Sequence, residues 1–189
     1  ERGKTMYSGK VSVKENICNI SKKLGYLGVS YSQVQGYDIN SSNGKHFFVN
    51  IANEEHAMLS KYDASTKELV HTGDIKNVIM HGNDCAYYKG DYYIVCGSNS
   101  KKIKCYDSTF NYKKTYTFVP KSTYLHGNDI SQISCIAHYK DSKFILGYGS
   151  DLAICNLEED RFSEIYRIEL NENQVIGIKM RGGTESCSG

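Results

Sequence analysis

His81-Gly82-Asn83-Asp84-Cys85-Ala86-Tyr87-Tyr88-Lys89-Gly90-Asp91-Tyr92-Tyr93-Ile94-Val95-Cys96-Gly97 is the stretch on which the fold turns. It holds two short runs of aromatic and β-branched residues around a Lys-Gly-Asp turn, the pattern of an antiparallel hairpin. Its opening tetrapeptide recurs as His126-Gly127-Asn128-Asp129, and a looser copy, Gln35-Gly36-Tyr37-Asp38, stands 46 residues before the first. A period of this length is the mark of a repeat architecture.

Each copy is followed by similar material. The second apolar run of the hairpin recurs as His46-Phe47-Phe48-Val49, Tyr92-Tyr93-Ile94-Val95 and Lys143-Phe144-Ile145-Leu146. The turn before it reads Asn43-Gly44, Lys89-Gly90-Asp91 or Lys140-Asp141-Ser142. A third run ends in an aspartate-rich bend: Lys61-Tyr62-Asp63-Ala64-Ser65, Cys105-Tyr106-Asp107-Ser108-Thr109, and Cys155-Asn156-Leu157-Glu158-Glu159-Asp160. Lys67–Val70, Lys114–Phe118 and Glu164–Ile168 close the units. Each unit is therefore expected to be a four-stranded meander, because alternating side chains in short runs bounded by Gly, Asn, Asp and Ser describe half-buried strands. Phe48, Val49, Ile94, Val95, Ile145 and Leu146 are the expected core between units. The two HGND copies are 45 residues apart, whereas the runs at Tyr93 and Phe144 are 51 apart. Either the third unit carries an insertion of about six residues near Ile130 to Ile133, or its HGND is not equivalent to the first.

Cys85–Gly97 followed by Lys104-Cys105-Tyr106-Asp107 resembles a Kelch blade with its second glycine altered and its tryptophan missing. The HGND and QGYD openings resemble divergent bacterial propellers similar to helveticin-J, and WD-repeat blades share the unit length without the Gly-His and Trp-Asp marks. The resemblance covers roughly residues 30 to 170. It implies an all-β fold, a β-propeller of four-stranded antiparallel blades forming a small ring or a fragment of a larger one, and implies no particular activity. The expected organisation is an N-terminal segment over 1–29, blades over 30–181 and a flexible tail over 182–189. Gln174–Met180 reads as the first strand of a fourth blade and Thr5–Val13 as outer strands closing it; otherwise another chain, or the rest of a longer chain, completes the ring. Ile17, Ile20 and Leu24 sit at helical spacing within Lys14–Leu24.

Composition narrows the function by exclusion. With 23 Lys+Arg against 21 Asp+Glu the chain has no strong field for nucleic acid or an anionic membrane, and its longest apolar runs are far too short to span a bilayer as a helix. The chain is expected to be soluble, its compartment open between cytoplasm and cell exterior. Seven cysteines, an odd number with no C-x-x-C pair, suit small buried residues in strands better than a disulfide scaffold. No P-loop, dinucleotide fingerprint, nucleophile elbow or H-E-x-x-H motif is present, and no cofactor and no metal are expected.

Two classes of site remain. His81, Asp84, His126 and Asp129 would converge at one mouth of the channel if they began innermost strands. There they would serve a hydrolase or lyase, with or without a metal, because imidazole and carboxylate can move protons or ligate. The competing reading makes them struts that hydrogen-bond the backbone of the neighbouring blade, and this is the reading adopted. The sixteen tyrosines, against six Phe and no Trp, crowd the second unit. Tyr87, Tyr88 and Tyr112 are the expected contact residues of a non-enzymatic module that binds a protein or glycan through loops at one end of the ring.

Overall fold

The structure is a computed structural model, which describes residues 22–24, 29–31, 33–40, 42–51, 57–63, 65–66, 68–71, 82–96, 100–121, 124–125, 128–129, 132–148 and 151–168. Sixteen strands and no helix occupy them. β1 (Lys22–Leu24) and β2 (Val29–Tyr31) form a two-stranded ladder ahead of the blades. The first blade is β3 (Gln33–Asn40), β4 (Lys45–Ile51), β5 (Ala57–Tyr62) and β6 (Leu69–His71), each antiparallel to the next. The second is β7 (Asp84–Tyr88), β8 (Asp91–Val95), β9 (Lys102–Asp107) and β10 (Tyr112–Val119). A short hairpin of β11 (Tyr124–Leu125) and β12 (Asn128–Asp129) precedes the third blade, β13 (Cys135–Lys140), β14 (Lys143–Tyr148), β15 (Asp151–Leu157) and β16 (Arg161–Ile168). These are three successive blades of an all-β propeller. The inner strands β3, β7 and β13 lie side by side, and the outer strands β10 and β16 touch in parallel over Thr117–Val119 and Arg161–Ser163.

The turns follow from residue type. Lys89 and Gly90 take φ of 49° and 90°, giving the tight two-residue connection whose twist matches the strands it joins. Asp141, with φ 53°, plays the corresponding part in the third blade, and Gly44, with φ 67°, in the first. The repeated glycine of the opening motif has a different duty. A Cβ on Gly36 would lie 2.7 Å from Cα of Asp84, so only glycine lets β3 approach β7 this closely. Gly82 combines φ of 60° with a would-be Cβ 2.8 Å from Cγ1 of Val49.

Two apolar seams hold the blades together, and the second blade feeds both by simple alternation. Its Cys85, Tyr87, Tyr92, Ile94 and Tyr106 join Phe47, Val49, Ala57 and Leu59 of the first blade. Its Ala86, Tyr93, Val95, Ile103, Cys105, Tyr116 and Phe118 join Ile136, Phe144, Leu146, Tyr148, Ala153, Cys155 and Phe162 of the third. Both faces of β8 are therefore buried, whereas β14 alternates between buried and half-buried positions along Lys143–Ile145.

This arrangement corrects three expectations and decides between the two alternatives for the second HGND. Val49, Ile94, Val95 and Leu146 are fully buried, but Ile145 is only half-buried. It faces away from the second blade. The aligned runs are out of phase: Tyr93 and Val95 point forward into the second seam, while Phe144 and Leu146 point backward into the same seam, and Tyr93 and Phe144 meet with ring centroids 5.3 Å apart. A register shift between His138 and Lys140 inserts the odd residue, and one residue of slip exchanges the two faces of a strand. The second HGND is not equivalent to the first, since Asn128–Asp129 pairs with Tyr124–Leu125 in its own hairpin instead of opening an inner strand. Lys22–Leu24, the end of the segment with helical spacing, is strand. The side chain of Phe48, the possible closing strands Thr5–Val13 and Gln174–Met180, and the tail lie outside the described residues.

Candidate functional site

The inner strands bring the chemistry-bearing residues to the seams. Asp84 is fully buried, and its Oδ2 accepts the backbone N–H of Ile136 in the third blade at 3.0 Å. Asp38, the aspartate of the looser motif copy, accepts the N–H of Tyr87 in the second blade at 2.6 Å through Oδ2, and Ile39 N–H at 2.7 Å through Oδ1. Each carboxylate thus reaches forward to the next blade's inner strand. The two sit on different rungs, Asp38 opposite Phe47 and Asp84 opposite Val95, a slip of two residues relative to the sequence spacing that leaves both facing forward. Burial raises the pKa of Asp38 above the ordinary carboxylate value, against the lowering effect of its two N–H donors and of His138.

The tyrosines expected to make contacts separate into different roles. Tyr87 is buried, not exposed, and its hydroxyl shares a 2.7 Å hydrogen bond with Oγ of Ser42 across the first seam. Tyr92 does the same with Nδ2 of Asn40 at 3.3 Å, and its ring stacks on Phe47 at 3.9 Å. The abundance of tyrosine has a structural source here: the ring fills a seam and the hydroxyl ties off polar groups at the edge. Tyr88, half-buried, faces the second seam and stacks on His138 of β13 at 4.5 Å and 24°. Tyr112 on β10 is 52% exposed; its hydroxyl pairs with Thr115 Oγ1 at 2.8 Å and its ring lies edge-on to Tyr106. Tyr88 and Tyr112 belong to opposite faces of the second blade, three strands or roughly 14 Å apart, both toward the end where the β7–β8 and β9–β10 turns lie.

That turn end is built firmly. The Asp107 carboxylate accepts N–H and Oγ1–H of Thr109 at 2.8 and 2.7 Å and N–H of Asn111 at 3.0 Å, and this hydrogen bonding holds its pKa far below the usual value. Asp63 does likewise with Ser65 and Thr66 in the first blade. Phe110, at φ of 68°, turns its ring toward Phe47 and Tyr92, and Lys61 of the first blade donates to the Ser108 carbonyl at 2.9 Å. His138, exposed Tyr139 and Lys140 complete the inner part of this end. The signal for them was present in the parallel between Ala86-Tyr87-Tyr88-Lys89 and Ala137-His138-Tyr139-Lys140.

His81 and His126 lie outside the described residues, as does the side chain of Asp129, so the proposed His/Asp cluster is represented by Asp84 alone. Among the described residues no three His, Cys, Asp or Glu gather into a set that could hold a metal ion. Cys85, Cys96, Cys105 and Cys155 are buried free thiols; burial pushes Cys96 up to about 11 and Cys105 up to about 12, and raises Cys85 and Cys155 as well. No helix among the described residues is long and apolar enough to cross a membrane.

No family model matches the chain, and no curated protein matches it. Solved structures do. The chain is similar to a luciferin-regenerating enzyme (TM-score 0.53, 8% identity, covering 73% of this chain and 46% of that one). It is similar to a protein of unknown function from Bacteroides caccae (0.50, 12%, 75% and 47%) and to a chain of the mitotic checkpoint complex (0.50, 13%, 75% and 40%). Similarity at this level shows fold and not activity. The chain spans less than half the length of these solved chains. Fold, seams and neighbours together describe a set of β-propeller blades.

Proposed function

We propose that these blades form a non-enzymatic recognition module that grips a protein or glycan at the turn end, within a ring completed by the rest of a longer chain or by another chain. The observation that carries this reading is the division of labour among the polar residues. Asp38, Asp84 and Tyr87 are spent on links between blades, while Tyr112 stands 52% exposed at the turn end on a hairpin braced by Asp107. A rigid hairpin presenting an aromatic ring offers contact area at low entropic cost, as recognition surfaces require. A hydrolase or lyase built on His81, Asp84, His126 and Asp129 would need Asp84 to reach a substrate, and its carboxylate is enclosed between β7 and β13. The test is a glycan array together with photo-crosslinking in cell extract from position 108, an exposed residue of the β9–β10 turn. Capture that Tyr112→Ala reduces, in a protein of unchanged melting temperature, supports the module. Capture lost with His81→Ala in a fully folded protein returns the question to the His/Asp cluster.

A further inference from the structure

The cysteines divide into two kinds. Cys85, Cys96, Cys105 and Cys155 are free thiols buried in the two seams, whereas Cys135, the first residue of β13, is disulfide-bonded. Of the seven cysteines in the sequence, only Cys18 and Cys187 are left to be its partner. Both lie outside the described residues.

Strand alternation gives the direction in which the bond leaves β13. Ile136 and Leu146 face backward into the second seam, so Cys135 and Ala137 face forward, away from the second blade. On that face Ala137, Ile145 and Ile154 form one row across the strands, and Cys135, Gly147 and Leu152 form the next. Gly147, which has no side chain, leaves room beside Cys135 for a second sulfur. The described strands packed against β13, β14 and β15 belong to their own blade or to the second. Cys135 and Ile154 are nevertheless buried.

We propose that Cys135 is bonded to Cys18, so that the N-terminal segment is tied to the forward face of the third blade. The two candidate partners differ in what they would bring to that face. Polar groups carried onto an apolar surface lose water without gaining partners, so a buried disulfide needs apolar flanks. Ile17-Cys18-Asn19-Ile20 brings two isoleucines to the row of Ala137, Ile145 and Ile154, whereas Glu185-Ser186-Cys187-Ser188 brings a carboxylate and two hydroxyls. Bond formation joins the two sulfurs and passes two electrons and two protons to an oxidant; a low-molecular-weight disulfide such as oxidised glutathione takes them up and becomes two thiols. The seam cysteines do not compete. Burial holds their thiols above the usual range, and the attacking species is the thiolate. A bond of this kind persists where the surroundings are oxidising.

The experiment maps the cysteines of the 189-residue chain after equilibration with oxidised glutathione. The protein is alkylated in denaturant without reduction, cut with trypsin and analysed by mass spectrometry before and after a reductant. Trypsin separates the three cysteines at issue into peptides 15–22, 122–140 and 182–189. Peptides 15–22 and 122–140 are expected as one linked species that the reductant resolves into two, with Cys85, Cys96, Cys105, Cys155 and Cys187 all alkylated. Thermal melting supplies the second reading. A reductant should lower the melting temperature of the parent, Cys18→Ser and Cys135→Ser should each lower it by a similar amount without further response to reductant, and Cys187→Ser should melt like the parent. Recovery of Cys135 as an alkylated thiol, or linked to Cys187 or to a seam cysteine, would overturn the proposal. So would a parent whose melting does not move when the bond is reduced.

Discussion

The Asp84 carboxylate and the Ile136 amide, 52 residues apart in the chain, meet at 3.0 Å where the inner strands of the second and third blades run side by side. Such a link costs desolvation of the carboxyl group and gains a hydrogen bond between blades, and removing it strands a buried N–H. Asp84→Ala should therefore destabilise the chain by about 1–3 kcal/mol. Denaturant melts of parent and variant measure the loss directly, and equal midpoints would show that the link carries no stability.

The two isoleucines aligned by the repeat should respond differently. Ile94→Ala empties a fully buried site between the first two blades and should cost about 2–4 kcal/mol. Ile145→Ala removes a half-buried side chain on the forward face of the third blade and should cost clearly less. Chemical denaturation of the pair decides it, and equal losses would contradict the phase shift at β14.

Tyr87 and Tyr112 differ in the same way. Tyr87→Phe deletes the hydrogen bond to Ser42 and should cost about 1 kcal/mol, whereas Tyr112→Ala should leave the melting temperature almost unmoved. Differential scanning fluorimetry on both variants is sufficient.

The aspartates predict opposite responses to pH. Asp38 has its folded pKa raised, chiefly by burial, so its proton is held more tightly in the fold than in the unfolded chain; stability falls as pH rises from about 4 through the folded value and is level above it. Asp107 has its pKa lowered by hydrogen bonds, so its contribution is present above about pH 4 and is lost as pH falls toward the folded value. Asp38→Asn should remove the decline with rising pH, and Asp107→Asn should soften the loss in acid. Stability measured by urea titration between about pH 3 and 7 tests both signs.

Much of the architecture was legible because a hairpin advertises itself through alternation and turn chemistry. Lys89-Gly90 and Asn43-Gly44 placed two of the turns, and the Asp63 and Asp107 bends were readable as recurrent Asp-x-Ser/Thr. The strand faces of the third blade were not legible. One extra residue near Tyr139 reverses them without altering composition, so Phe144 was matched with Tyr93 although they face each other across a seam. Tyr87 was expected to be exposed, and is buried, for a related reason. A blade packed on both sides buries both of its faces, and which residues that removes from the surface depends on neighbours that local sequence does not name.

The central claim is that the aspartate of the repeated motif holds blades together while recognition belongs to the turn end. Thermal melting and ligand capture measured together on Asp84→Ala and Tyr112→Ala test it most directly. The account predicts a lowered melting temperature with capture per folded molecule retained for Asp84→Ala, and an unchanged melting temperature with capture lost for Tyr112→Ala. A folded Asp84→Ala protein that melts like the parent but no longer captures its ligand, beside a Tyr112→Ala protein that binds normally, would contradict it.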